Sequence, residues 1–181
     1  SITIPTKNNK SLLKRCIDSL ENNTNYKNFE IIIIDNNSDD RETLEYYDSL
    51  DCEIILYPHP FNFSKMNNLG VANAQGDFIL CLNDDTKAID PDWLTEMVSI
   101  CQQNDVGIVG AKLLHSNGTI QHSGAVFLKS GSGFHVFENM LEKNTGFFNM
   151  HNIIRNYSAV TGACLLIKKT IFEKINGYDE N

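Results

Sequence analysis

Three apolar runs in this chain each end in polar residues of the kinds that can hold a charged ligand: Pro5-Thr6-Lys7-Asn8, Asp35-Asn36-Asn37 and Asn83-Asp84-Asp85. Polar residues after a strand commonly do no more than turn the chain, and that explains the first two clusters as well as a binding role does. The third is different. Two adjacent carboxylates directly after a buried strand repel each other, and a divalent cation with oxygen ligands relieves the repulsion. Such a cation could also hold a diphosphate, which a chain of formal net charge -8 needs help to do. Other phosphate grips are missing: there is no Gly-x-Gly-x-x-Gly after the first run and no Gly-x-x-x-x-Gly-Lys. A Gly-x-Ser-x-Gly nucleophile turn is absent too. Phosphates would therefore be held by a cation and scattered polar groups.

The elements that position these clusters follow from periodicity. Residues 2–5 read as a strand, and residues 10–21 as a helix with Leu12, Leu13, Cys16, Ile17 and Leu20 on one face. Residues 29–34 form a β-branched run suited to a parallel strand buried on both faces. Residues 35–40 are a polar turn able to cap the next helix. Strands are expected at 52–57 and 78–82, around a helix at 64–74 closed by Gly76. Pro91 is placed to open a helix with Trp93, Leu94, Met97 and Ile100 or Cys101 as its apolar face. Strands at 106–109, 119–128 and 159–167 and a short helix at 169–175 complete the pattern, with residues 130–155 read as a long loop with room for one helix. Alternating strand and helix in the first half argue for an α/β sandwich with a largely parallel sheet.

A length of 181 residues suits one domain with a real core. The acidic excess disfavours a nucleic-acid backbone or an anionic membrane as the main partner. Five widely spaced cysteines without a Cys-x-x-Cys pair read as free, mostly buried thiols of a reducing compartment. Neither they nor the five histidines show metal-ligand spacing. No leader peptide or membrane span is evident. Glycosylation sequons occur at Asn22, Asn36, Asn62, Asn117 and Asn156, two of them in segments assigned to the site, so a cytoplasmic location is expected.

With these pieces in order, the chain resembles the family 2 glycosyltransferases of the GT-A fold. The likeness rests on residues 1–8, Ile34-Asp-Asn-Asn-Ser-Asp39, Asn68-Leu-Gly-Val-Ala-Asn-Ala-Gln-Gly-Asp77, residues 78–86, Thr161-Gly-Ala-Cys-Leu-Leu-Ile167 and Asn176-Gly-Tyr-Asp-Glu180. Gly118-Thr-Ile-Gln-His-Ser-Gly124 and residues 156–163 are similar to a branch found in bacterial O-antigen and cell-surface polysaccharide assembly. The resemblance implies a GT-A, Rossmann-like sandwich with a mixed, mainly parallel sheet. Residues 1–86 would be its nucleotide-binding half and residues 87–181 an incomplete sugar and acceptor half.

It implies an activity as well: inverting transfer of a sugar from a nucleotide diphosphate, UDP or dTDP foremost, to a saccharide or lipid-linked saccharide hydroxyl. Asp35 would accept the imide N–H of the base, with Pro5 shaping a turn and Thr6 and Asn37 lining the base and ribose. Asn83-Asp84-Asp85 would be the Asp-x-Asp site, with Asp84 on the ribose and Asp85 on Mg²⁺ or Mn²⁺. Asn in its first position departs from the family pattern and removes one charge. Ser64, Lys65 and Asn68 would lie between base and phosphates, and Thr161 and Gly162 beside the donor sugar. His122 could touch a sugar, although a lone histidine beside Gly and Ser is more often a loop hydrogen-bonder. The catalytic base of the family lies on an acidic motif expected after Asn181, which leaves Asp179 and Glu180 as substitutes and predicts poor transfer by this chain. The alternative function is a catalytically incomplete nucleotide-sugar-binding module of a larger polymerase. A sugar-phosphate nucleotidyltransferase would want a Gly-rich loop with Arg where this chain has Pro5-Thr6-Lys7-Asn8.

Overall fold

In the computed structural model, which describes residues 1–144 and 148–181, the first half alternates as its periodicity requires. Strand β1 (Ile2–Thr6) leads to helix α1 (Lys10–Asn22), β2 (Ile31–Asp35) to α2 (Arg41–Tyr47), β3 (Glu53–Leu56) to α3 (Phe63–Asn73) and β4 (Phe78–Leu82) to α4 (Trp93–Cys101). Asp40 caps α2 by accepting the Thr43 N–H at 2.9 Å, as the polar turn suggested. Pro91 lies ahead of α4 rather than in its first turn, because Asp92 is the N-cap.

Beyond α4 the strands shorten: β5 (Ile108–Gly110), β6 (Leu113–Leu114), β7 (Ile120–His122), β8 (Ala125–Phe127) and β9 (Gly133–His135). A 3-10 turn at Met150–Asn152 precedes β10 (Cys164–Lys168) and α5 (Lys169–Lys174). The expected strand over 119–128 is thus two strands. Gly124 breaks it with φ +102, and a Cβ there would run into the Tyr157 ring. The loop over 130–155 contains β9 and the 3-10 turn, and residues 145–147 of it lie outside the described residues. The last strand begins at Cys164 rather than 159, because Gly162 and Ala163 form a turn.

The central sheet has six strands in the order β3-β2-β1-β4-β10-β5. The pairs among β1 to β4 are parallel, whereas β10 runs antiparallel to both β4 and β5, so the sheet is mixed and mainly parallel. Period-two alternation divides its side chains between two apolar layers. Ile33, Leu80 and Leu166 pack with Leu13, Cys16, Leu20, Leu94 and Met97 from α1 and α4. Ile32, Ile34, Ile79 and Ile167 pack with Met66, Val71 and Phe172 from α3 and α5. All five cysteines are free, four buried and Cys52 half-buried. Among the described residues no helix is long and apolar enough to cross a membrane.

Candidate functional site

Strands β1 to β3 extend the sheet in one direction and β4 begins the other, so the β1/β4 boundary is where the winding reverses. In open α/β sheets ligands bind at that boundary, outside the carboxyl ends of the strands. Here the boundary is physically parted. β1 pairs with β2 along five residues, but with β4 only at Ile2 and Thr3. Pro5 accounts for the parting. The Ile2 N–H donates to Glu30 O on the β2 side, so alternation turns position 5 toward β4, where proline has no N–H to offer. Pro5 is therefore a strand residue opposite Ile34, not the turn residue anticipated for it.

Side chains bridge the parted ends. Thr6 Oγ1 donates to Asp84 Oδ2 at 2.7 Å, and Asn9 Nδ2 donates to the same oxygen at 2.9 Å. Both bonds fall on one oxygen, and Asp84 Oδ1 keeps its acceptor capacity. Next to it, the exposed Asp85 carboxylate makes no hydrogen bond or ion pair among the described residues. Its backbone is held, however, because Arg15 donates to the Asp85 carbonyl at 3.2 Å. No group of three His, Cys, Asp or Glu side chains able to hold a metal occurs among the described residues. One open carboxylate beside the strand ends still fits Mg²⁺ or Mn²⁺, which commonly take one or two carboxylates and complete their shell with phosphate oxygens and water.

The β2 end is built differently. Asp35 is 5% exposed and accepts from the Ser38 N–H, the Ser38 hydroxyl and the Tyr47 hydroxyl at 3.0 Å. Its Oδ1 takes both hydroxyls, whereas Oδ2 takes only the Ser38 N–H at 3.1 Å and can accept one donor more. Burial, with the Asp35 carboxylate adding to it, pushes the Tyr47 phenol well above its ordinary range, so Tyr47 stays a donor. The buried Asn36 amide donates to the Tyr57 and His59 carbonyls, and Asn37 stands exposed at φ +56. Asn8 links the two strand ends by accepting the Asp39 and Asp40 N–H groups and donating to Asp39 at 2.7 Å.

Because β10 is antiparallel, its beginning rather than its end reaches this edge. The Asn83 N–H donates to the Ala163 carbonyl at 3.0 Å, which sets Thr161-Gly162-Ala163 beside Asn83, Asp84 and Asp85. Gly162 faces the Phe63 ring, and a Cβ would come to 3.1 Å from it. The Thr161 N–H donates to His122 Nε2 at 3.2 Å. His122 is 1% exposed, and burial with His135 nearby lowers its pKa to about 4, so it is a neutral acceptor. It is a hydrogen-bonder, but one bonded to the site.

At α3, Ser64 is half-buried, and Lys65 is exposed with its N–H capped by Asn62. Asn68 is committed elsewhere: it donates to Tyr178 O and Glu180 Oε1 and accepts the Tyr178 N–H at 2.9 Å. The lateral role expected of it between base and phosphates is taken up by holding residues 178–180. Asp179 accepts two bonds from Asn181, which lower its pKa. Neither Asp179 nor Glu180 is hydrogen-bonded to Asp84, Asp85 or Thr161. Asn9, Arg15, Ser38, Tyr47 and Phe63 were not anticipated. Only Asn9 and Ser38 carried a signal, as members of the polar runs after β1 and β2.

Comparison with known proteins identifies relatives of the chain. The profile described as glycosyl transferase family 2 matches residues 1–175. The uncharacterized protein y4gI of Sinorhizobium fredii is 39% identical over 186 residues, covering 100% of this chain and 20% of that protein. The O-antigen biosynthesis protein RfbC of Myxococcus xanthus is 38% identical over 184 residues, covering 99% of this chain and 14% of RfbC. This chain thus spans a fifth or less of these relatives. The mannosyltransferase PcManGT of Pyrobaculum calidifontis, solved with GDP-Man and Mn²⁺, superposes with a TM-score of 0.69 over 99% of this chain and 47% of that one. At 15% identity that likeness is one of fold.

Proposed function

The chain belongs to glycosyl transferase family 2, with the GT-A fold, and from that premise we propose that it binds a nucleotide diphosphate sugar across the parted β1/β4 boundary. The observation that carries the reading is the pairing of Asp84, gripped by Thr6 and Asn9, with an exposed Asp85 whose carboxylate has no partner among the described residues, and the Thr161–Gly162 turn beside them. Asp35 Oδ2 accepts the imide N–H of uracil or thymine, with Thr6 and Asn37 along the base and ribose. Asp84 Oδ1 accepts a ribose hydroxyl. Asp85 holds the Mn²⁺ or Mg²⁺, which when bound neutralises charge on the diphosphate. Ser64 and Lys65 flank the phosphates, and Thr161 and Gly162 the sugar. In transfer, an acceptor hydroxyl loses its proton to a base, its oxygen bonds to the anomeric carbon, and the bond to the diphosphate breaks with inversion. The acceptor in this reading is a saccharide or lipid-linked saccharide of surface polysaccharide synthesis, met in the cytoplasm, and the likeness to RfbC supports that choice of acceptor.

Thermal unfolding with UDP, dTDP, GDP and CDP and their sugars, each with and without Mn²⁺, tests the donor reading, since any ligand of the folded state raises the midpoint. UDP or dTDP should stabilise most, and only with metal. CDP, which lacks the imide donor, should stabilise least. Equal stabilisation with and without Mn²⁺, or a preference for CDP, would overturn it.

A second reading, a donor-binding module without transfer activity, is favoured by one observation. Asp179 is bonded to Asn181 and Glu180 to Asn68, which leaves neither carboxylate placed as the base. Release of UDP from a UDP-sugar in the presence of saccharide acceptors separates the two readings.

A further inference from the structure

We propose that His122 is a positioning residue, whose imidazole fixes the Thr161–Gly162 turn in the shape that receives the donor sugar; the inference rests on the donor reading above. The stretch ahead of β10 is pinned at alternate residues. Ala159 exchanges two backbone bonds with Ala125, Thr161 donates to His122, and Ala163 accepts from Asn83. Of these three, only the middle pin is a side chain. A backbone N–H withdrawn from water must find an acceptor, and in a sheet the neighbouring strand supplies a carbonyl. At position 161 that acceptor is an imidazole nitrogen, and the residue held is the one that precedes Gly162.

The ring itself is oriented. His135 packs edge-on against it, with ring centroids 4.7 Å apart and planes at 82°. His135 is in turn fixed by a bond of its Nδ1 to the Gln121 carbonyl at 2.9 Å. An Nε2 that accepts from Thr161 places the His122 proton on Nδ1, which is buried and has no partner among the described residues. Thus β7 and β9, which have no strand in common with the central sheet, set the position of a residue at its carboxyl edge.

The test compares His122→Gln, whose amide can present an acceptor near the Nε2 position, with His122→Leu, which has none, and His122→Asn, which is too short to reach. Two quantities are read in each: hydrogen exchange at the Thr161 amide, and the ratio of the dissociation constants of UDP-glucose and UDP, with the dTDP pair in parallel. Loss of the bond should speed exchange at Thr161 and raise the ratio about tenfold in the Leu and Asn variants, while UDP affinity stays within about twofold. The Gln variant should restore both. Should the Leu variant fail to fold, the Asn variant gives the same comparison. An unchanged ratio, or equal loss of UDP and UDP-glucose affinity, would overturn the role of His122 alone. Failure of the unmutated chain to bind any nucleotide diphosphate would overturn the donor reading and this role with it.

Discussion

Asp35, at the end of β2, is buried among three donors of its own chain, whereas Asp85, just past the end of β4, is exposed and accepts nothing from the described residues. The two carboxylates serve one edge in opposite ways. An enclosed carboxylate is already oriented before a ligand arrives, so it can discriminate among donors by geometry. An open one keeps its full charge available and is suited to a partner brought with the ligand. Asp84 stands between these extremes, one oxygen held by Thr6 and Asn9 and the other without a partner among the described residues. Fold and function are therefore coupled at β2 and separable at β4.

Substitutions can break that contrast. Asp35→Ala should have the largest effect, because it removes the proposed contact to the base and also strands the Tyr47 and Ser38 donors. A stability loss of about 3 kcal/mol is expected, a fall in melting temperature of roughly 10 °C, with UDP binding weakened at least about tenfold. Calorimetric unfolding and titration measure both. Asp85→Asn should leave unfolding within about 0.5 kcal/mol of the parent. It should abolish the Mn²⁺-dependent part of UDP affinity, and a clear fall in melting temperature would contradict its open setting. Thr6→Val removes one grip on Asp84 and should weaken UDP binding about fivefold, as expected for one hydrogen bond of about 1 kcal/mol.

An effect absent at neutral pH sharpens a different contrast, that between a carboxylate made to be charged and an imidazole kept neutral. His122 titrates at about 4 in the folded chain against its ordinary 6.5, so below pH 6.5 the unfolded chain binds the proton and the folded one does not. Stability should therefore decline as pH falls from about 6.5 toward about 4, and that part of the slope should flatten in His122→Gln. Denaturant midpoints across this range give the comparison, and identical slopes would remove His122 as its source.

Much of the sheet was legible because burial on both faces demands apolar, β-branched runs such as Ile31-Ile32-Ile33-Ile34. The polar ends of β1, β2 and β4 were legible for the complementary reason, that an uninterrupted apolar run must stop where solvent begins. Strands of two or three residues with exposed faces leave no such trace, which is why β7 and β8 read as one strand, β9 as loop and β6 not at all. Whether Gly124 continues or breaks a strand depends on Tyr157, far along the chain. Arg15, Tyr47 and Asn68 depend in the same way on partners that only the fold brings near. Pro5 was visible from the start, but what it does could be read only once the side on which β4 lies was known.

The place of β10 between β4 and β5 has a consequence for the order in which the protein can be made. β5 leaves the ribosome more than fifty residues before β10, yet among the described residues β10 is its only strand partner in the sheet. Until residues 164–168 emerge, one edge of β4 is a row of unpaired amide groups and β5 has nothing to join. Pairings so distant in sequence form slowly, and an open apolar edge invites a second chain to pair in their place. Nascent chains halted before residue 164 should therefore be the species that aggregate, and release of a few residues more should rescue them.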